Sequence, residues 1–168
     1  MVLVRFKDLV MDVVDPPTLT PLWGRWLHLA PEVDDDGGVL RGERREQTVW
    51  VNAAEPKTTK NRVHLDLFAR DLTPFADATR LSEPGEFAWT VFADPDGAEF
   101  CVFESGERPE GLKDVVVDAA DHVAIGAWWA DVWGGILGSD DDYSWLDEIP
   151  GAPVESFDFV PVSEPKTV

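Results

Sequence analysis

Lys7-Asp8-Leu9-Val10-Met11-Asp12-Val13-Val14-Asp15 is written again as Lys113-Asp114-Val115-Val116-Val117-Asp118-Ala119-Ala120-Asp121. Outward from this pair the correspondence covers residues 6–36 and 112–142 at a constant offset of 106, with Trp23 meeting Trp129 and Asp34-Asp35-Asp36 meeting Asp140-Asp141-Asp142. After a three-residue slip, Glu55-Pro56-Lys57-Thr58 is answered by Glu164-Pro165-Lys166-Thr167, while residues 60–103 have no second version. Solenoid periods run from 20 to about 50 residues; a repeat of this length is a duplicated domain-sized unit.

Each copy has the same local grammar. The apolar run Leu9 to Val14 closes on Asp15-Pro16, a strand feeding a helix with Asp15 as N-cap and Pro16 at its first position; the helix runs toward Leu27. In the second copy Val115 to Ala120 is the strand, Asp121 the cap, and Gly134-Gly135 the stop after Trp128, Trp129 and Trp133. Strands are expected around Val39 to Leu40 and Thr48 to Ala53, and at Ser144 to Leu146 and Phe157 to Val162. A further unit follows Pro56: a strand Arg62 to Phe68, a short helix within Thr73 to Leu81, and strands Phe87 to Ala93 and Ala98 to Phe103 joined at Asp94-Pro95-Asp96-Gly97. Strand alternation sets Arg62, His64 and Asp66 on one face and Val63, Leu65 and Leu67 on the other.

With 44% hydrophobic residues, eight Trp and nine Phe, the 168-residue chain can build a real core. Its 33 Asp and Glu against 14 Lys and Arg, net −19, argue against nucleic acid or an anionic membrane as partner and leave neutral or cationic ligands open. Cys101 is the only cysteine, so there is no intramolecular disulfide and no cysteine zinc cluster. Arg5, Lys7, Asp8 and Asp12 break the first 14 residues, which read as neither a signal peptide nor a membrane span. A cytoplasmic location is the resulting expectation.

The run Glu55-Pro56-Lys57-Thr58-Thr59-Lys60-Asn61-Arg62-Val63-His64-Leu65-Asp66, then Trp89, then Ala93-Asp94-Pro95-Asp96-Gly97-Ala98-Glu99-Phe100-Cys101, resembles the glyoxalase-like branch of the vicinal oxygen chelate (glyoxalase, bleomycin resistance, dioxygenase) superfamily. The resemblance implies an α+β fold of paired βαβββ modules, whose curled mixed sheets surround a cavity for a small molecule, often beside a divalent metal. On that reading residues 1–106 form a complete two-module domain, 107–111 a linker, and 112–168 the first module of a second, truncated domain. Metal-dependent relatives carry a His on the first strand and a Glu on the last. These positions fall on or near Asp8, on Asp114 and on Cys101, so no metal ligand is assigned, although a divalent metal stays possible as cofactor.

The candidate site is therefore His64 and Glu99 as acid–base groups, with Asp12, Asp66, Trp50, Trp89 and Cys101 as ligand contacts, all expected in one cavity. Trp23, Trp128, Trp129 and Trp133 lie at helical spacing and read as core. Lys57, Lys60 and Arg62 read as a salt-bridged face, and the Asp runs as acidic turns, since they lack calcium-loop spacing.

Three classes of function follow: a module that binds a small organic molecule, a metal-dependent lyase, isomerase or dioxygenase, and an assembly remnant. Residues 112–168 carry an apolar helix and an open sheet edge. They are expected to pair with a second copy in a homodimer, or else to dock on residues 1–106 of the same chain.

Overall fold

The computed structural model describes residues 4–34 and 36–162; Asp35 and the second Glu164-Pro165-Lys166-Thr167 lie outside them. The architecture is α+β, three modules in two mixed sheets. The first contributes β1 (Leu9–Val13), α1 (Pro16–Leu27), β2 (Ala30–Val33), β3 (Gly37–Arg41) and β4 (Val49–Ala53). The second contributes β5 (Val63–Ala69), β6 (Thr79–Arg80), β7 (Thr90–Ala93) and β8 (Glu99–Glu104). The third contributes β9 (Gly111–Ala119), α2 (His122–Trp133), β10 (Ile136–Ser139), β11 (Ser144–Asp147) and β12 (Ser156–Pro161).

Both helices begin as their caps dictate. Asp15 accepts from the Thr18 N–H at 3.3 Å and Asp121 from the Ala124 N–H at 2.9 Å. The acidic runs are turns: Asp34 accepts from the Asp36 N–H, and Asp140 from the Asp142 and Tyr143 N–H groups. The outer hairpin strands β2 and β10 are absent from the expected elements, because Ala30-Pro31-Glu32-Val33 and Ile136-Leu137-Gly138-Ser139 carry little alternation.

The sheets follow the orders β1-β4-β3-β2 and β10-β11-β12-β9-β5-β8-β7-β6. The eight-stranded sheet joins strands of the second and third modules. β5 runs antiparallel to β9, with Leu65 opposite Val115 and Asp66 opposite Asp114, so the second module pairs with the third. Residues 1–106 are therefore not the pair that shares one sheet, and 112–168 has no open edge at its first strand. Nor is 107–111 wholly a linker, since β9 starts at Gly111. Gly111 holds φ +117°, and a Cβ there would lie 2.8 Å from the Leu27 carbonyl oxygen, so glycine alone fits this close approach to the end of α1. Docking onto the same chain, the alternative expectation, is what the strands do.

The second module also lacks its expected helix; Thr73–Phe75 is a single 3-10 turn. The helix-facing side of β8 and β7 is already filled by α1 of the first module. Trp23 and Trp26 pack on Phe100 with ring centroids 5.1 and 4.9 Å away, and Phe75 and Phe92 complete the cluster. In the third module Trp129 and Trp133 are partly buried, but Trp128 is 54% exposed on the outer side of α2, which corrects its assignment to the core. No helix among the described residues is long and apolar enough to cross a membrane.

Among the polar contacts that tie the first module to the second, the most buried is at Asp94. Buried Asp94 accepts from the Trp23 indole N–H at 3.0 Å and from the Asp96 and Ala98 N–H groups, while Asp96 accepts from the Val14 N–H at 2.6 Å. The Asp94-Pro95-Asp96-Gly97 turn is thus a clasp for β1 and α1 as well as a hairpin. A buried carboxylate that loses a donor costs ~1–3 kcal/mol. A double-mutant cycle of Trp23→Phe with Asp94→Asn in denaturant unfolding is expected to give a coupling of about 1–2 kcal/mol. Strict additivity would show that the clasp contributes nothing.

Candidate functional site

Alternation along the eight-stranded sheet separates two faces. Leu65, Leu67, Phe100, Val102, Val115, Phe157 and Phe159 are buried under the helices. His64, Asp66, Phe68, Cys101, Phe103, Asp114 and Asp158 take the opposite, helix-free face. Here the ladder is irregular: Asp66 pairs with Asp114 but Leu67 pairs with Leu112, which leaves Lys113 as the extra residue of a β-bulge. The bulge brings Lys113 to the same face as Asp114. Its ammonium contacts Asp114 Oδ2 and lies 4.8 Å from the Phe103 ring centroid and 5.6 Å from that of Phe68.

Around this centre the side chains are fixed by short contacts. Asp114, fully buried, accepts from the Ser156 N–H at 2.9 Å, and Asp158 accepts from the Ser156 hydroxyl at 2.6 Å. Asp66 Oδ1 is buried without a hydrogen-bond partner, 3.5 Å from His64 Nε2. That distance is within ion-pair range, yet burial biases both groups toward their neutral forms. Burial raises the Asp66 carboxyl to about 7, against the attraction of Lys113, and burial lowers the pKa of the His64 imidazole. Burial raises Asp158 as well, and pushes up the Cys101 thiol beside Asp66. A thiol held protonated is a poor nucleophile.

Aromatic rings flank the polar centre on both sides. Phe87 stacks on Trp89 at 5.3 Å, Trp89 on Phe103 at 5.4 Å, and Phe103 meets Phe68 edge-on at 6.5 Å. From the third module Tyr143 and Trp145 pair at 5.0 Å, with Trp145 directly opposite Asp158 across β11 and β12. Gly138 makes this possible, because a Cβ at that position would fall 2.2 Å from the Trp145 ring.

The seven site residues expected from sequence are thus divided. His64, Asp66, Cys101 and Trp89 belong to the helix-free face. His64 also lines a 490 Å³ cleft between the sheets together with Asp12 and Glu99. Glu99 is held by Lys60 at 3.3 Å, and Lys60 and Arg62 approach Asp118 at 3.8 and 3.7 Å. Asp12 sits on β1, 3.4 Å from the Asn52 amide, and Trp50 on β4 donates to Asp8 at 2.8 Å. These two lie on the four-stranded sheet; Asp12 still shares the cleft with His64 and Glu99, whereas Trp50, Asp66 and Cys101 are not in its lining, and strand parity is blind to which sheet a strand joins. Phe68, Phe103, Lys113, Asp114, Tyr143, Trp145 and Asp158 were missed. Asp158 between Phe157 and Phe159 was readable as a polar residue on an alternating strand, whereas the bulge that turns Lys113 inward has no sequence signal.

Two groups have ligand atoms within 4.8 Å of one another: His64 with Asp66 and Cys101, and Asp66 with Asp114 and Asp158. The group that contains Asp114 does not fit a resident metal. Both Asp114 oxygens are committed, one to the Lys113 ammonium and one to the Ser156 N–H. In the other group Asp66 Oδ1 is buried without a partner, 3.5 Å from His64 Nε2.

Residues 8–103 match the family profile described as glyoxalase-like domain. No curated protein sequence matches the chain. In structure the chain is similar to glyoxalase I from Zea mays, at TM-score 0.65 and 16% identity over 95% of this chain and 69% of that one. It is also similar to a proposed dioxygenase from Bacillus subtilis, at TM-score 0.62 and 12% identity over 95% and 64%. The chain therefore spans about two thirds of the length of these proteins, and at such identities the likeness speaks for the fold alone. The profile match over more than half the chain, with its Asp94-Pro95-Asp96-Gly97 hairpin and βαβββ-type modules, places the protein in the glyoxalase-like family of the vicinal oxygen chelate superfamily.

Proposed function

We propose that the helix-free face of the eight-stranded sheet binds a small aromatic or cationic organic molecule. The observation that carries this is the pair of aromatic walls, Phe87-Trp89-Phe103-Phe68 and Tyr143-Trp145, on either side of a buried carboxyl with an oxygen lacking a partner. A flat ligand would stack on the rings and offer Asp66 a hydrogen bond, with neutral His64 beside it. The alternative of a metal-dependent lyase, isomerase or dioxygenase needs free ligand atoms, which Lys113 and Ser156 take from Asp114. His64 and Glu99 as acid–base groups and Cys101 as a contact remain part of the proposal, as does a cytoplasmic location. Asp12 lines the adjoining cleft with His64 and Glu99, and Trp50 passes to the first-module surface.

A homodimer through residues 112–168 keeps one motive, the exposed Trp128 and Val123 on α2, once β9 is paired within the chain. The rival surface is the free edge of β1, with Val10 62% exposed. In light scattering at micromolar concentration, a dimer abolished by Trp128→Glu locates the interface on α2. One abolished by Val10→Lys locates it on β1, and a monomer removes the proposal.

Binding is testable by thermal shift and tryptophan fluorescence with a panel of aromatic amines. Trp89→Ala and Trp145→Ala are each expected to weaken the best hit about tenfold, since an aromatic contact contributes ~0.5–1.5 kcal/mol beyond its buried area. Trp50→Ala should leave it unchanged. Equal losses at Trp50, or no hit, would remove the reading.

Asp66 gives a pH signature. With its carboxyl at about 7 in the folded state and near the ordinary carboxylate value when unfolded, the folded chain holds the extra proton between these limits. Its stabilising contribution is present at low pH and is lost as pH rises through 7. Asp66→Asn should therefore gain on wild type from pH 5 to 7, by at most ~1.4 kcal/mol per pH unit, and run parallel to it above 8. Parallel curves across that range would mean that Asp66 is ionised in the folded chain.

A further inference from the structure

β5, β9 and β12, first and last strands of two modules, bring Asp66, Asp114 and Asp158 together, and the chain supplies a cation of its own there. We propose that the Lys113 ammonium is the resident cation of the helix-free face, so that the protein works without a divalent metal, and that the Asp66, Asp114 and Asp158 carboxyls form a divalent-cation site only when Lys113 is removed. The inference rests on the binding reading only for the face concerned.

Three observations converge. The register slip between Asp66 and Leu67 puts Lys113 on the helix-free face instead of alternating away from Asp114. Its ammonium touches Asp114 Oδ2 at a buried, acidic centre, where the three carboxyl groups have ligand atoms within 4.8 Å of one another. The Phe103 and Phe68 faces cover the ammonium, so its position is held by cation–π contact as well as by charge. A divalent ion at this centre would meet a fixed positive charge and lose one Asp114 oxygen to the lysine and the other to the Ser156 N–H. At this centre Asp66 Oδ1 is buried without a hydrogen bond, which points to what the lysine leaves unfilled. The same Lys-Asp pair recurs in the first module, where the Lys7 ammonium bonds both Asp8 oxygens at 2.8 and 2.6 Å. The pairing is therefore a property of the repeat and not of one loop.

The test is titration of the full chain with MnCl2 and ZnCl2, followed by calorimetry and, for manganese, by electron paramagnetic resonance. Wild type and Lys113→Arg are expected to show no site of micromolar affinity. Lys113→Ala is expected to gain one equivalent at least tenfold tighter than any wild-type binding, with the gain lost in the Lys113→Ala/Asp114→Asn double variant. Lys113→Met, which keeps most of the apolar stem over Phe103, serves if the alanine variant unfolds. A stoichiometric micromolar site in wild type that Asp114→Asn removes would overturn the proposal, and so would a folded Lys113→Ala or Lys113→Met that gains nothing. None of these readouts depends on an organic ligand, so failure of the binding panel and failure of this inference are separable.

Discussion

The antiparallel ladder between β5 and β9 is the constraint from which the site follows. Each module is a strand, a connection and further strands, and its first strand has one bonding edge left over once the module's last strand has paired. In the second and third modules those two edges satisfy one another, as the run from Val63 opposite Val117 to Asp66 opposite Asp114 shows. A sheet joined in this way carries polar groups from both modules to one line. His64 and Cys101 come from one side, Asp114 and Asp158 from the other, and Asp66 stands at the seam.

The first module is joined by packing and not by a ladder. Its helix lies between its own sheet and the second module's, where Trp23 and Trp26 bury against Phe75, Phe92 and Phe100. Such a contact is strong but weakly directional. The hydrogen bonds of Trp23 to Asp94 and Val14 to Asp96 supply the direction, fixing the angle at which the helix meets the hairpin. This arrangement also accounts for the missing second-module helix, since one layer cannot be filled twice.

Electrostatics at the seam follow from burial more than from net charge. A net charge of −19 suggests a store of ligating carboxylates, but those at the seam are desolvated and are each offset by a different means. Asp114 is matched by the Lys113 ammonium and a backbone donor, Asp158 leans on the Ser156 hydroxyl, and Asp66 favours its proton. The surface between the aromatic walls is consequently far less negative than the composition suggests, which suits a neutral or singly charged ligand.

Local features were legible in the sequence by itself. The offset repeat, the Asp15 and Asp121 caps, the Asp94-Pro95-Asp96-Gly97 hairpin and the family follow from residues close together in the chain, and so does the separation of His64 and Asp66 from Leu65 and Leu67. Their causes are short-range: capping, turn chemistry and the two-residue period of a strand. Tertiary structure alone decided which first strands pair, and hence that Asp12 and Trp50 stand apart from Asp66 while Asp114 and Asp158 join it. It also decided that Lys113 turns inward, because a bulge arises from the register of two strands more than forty residues apart, and no single segment encodes a register.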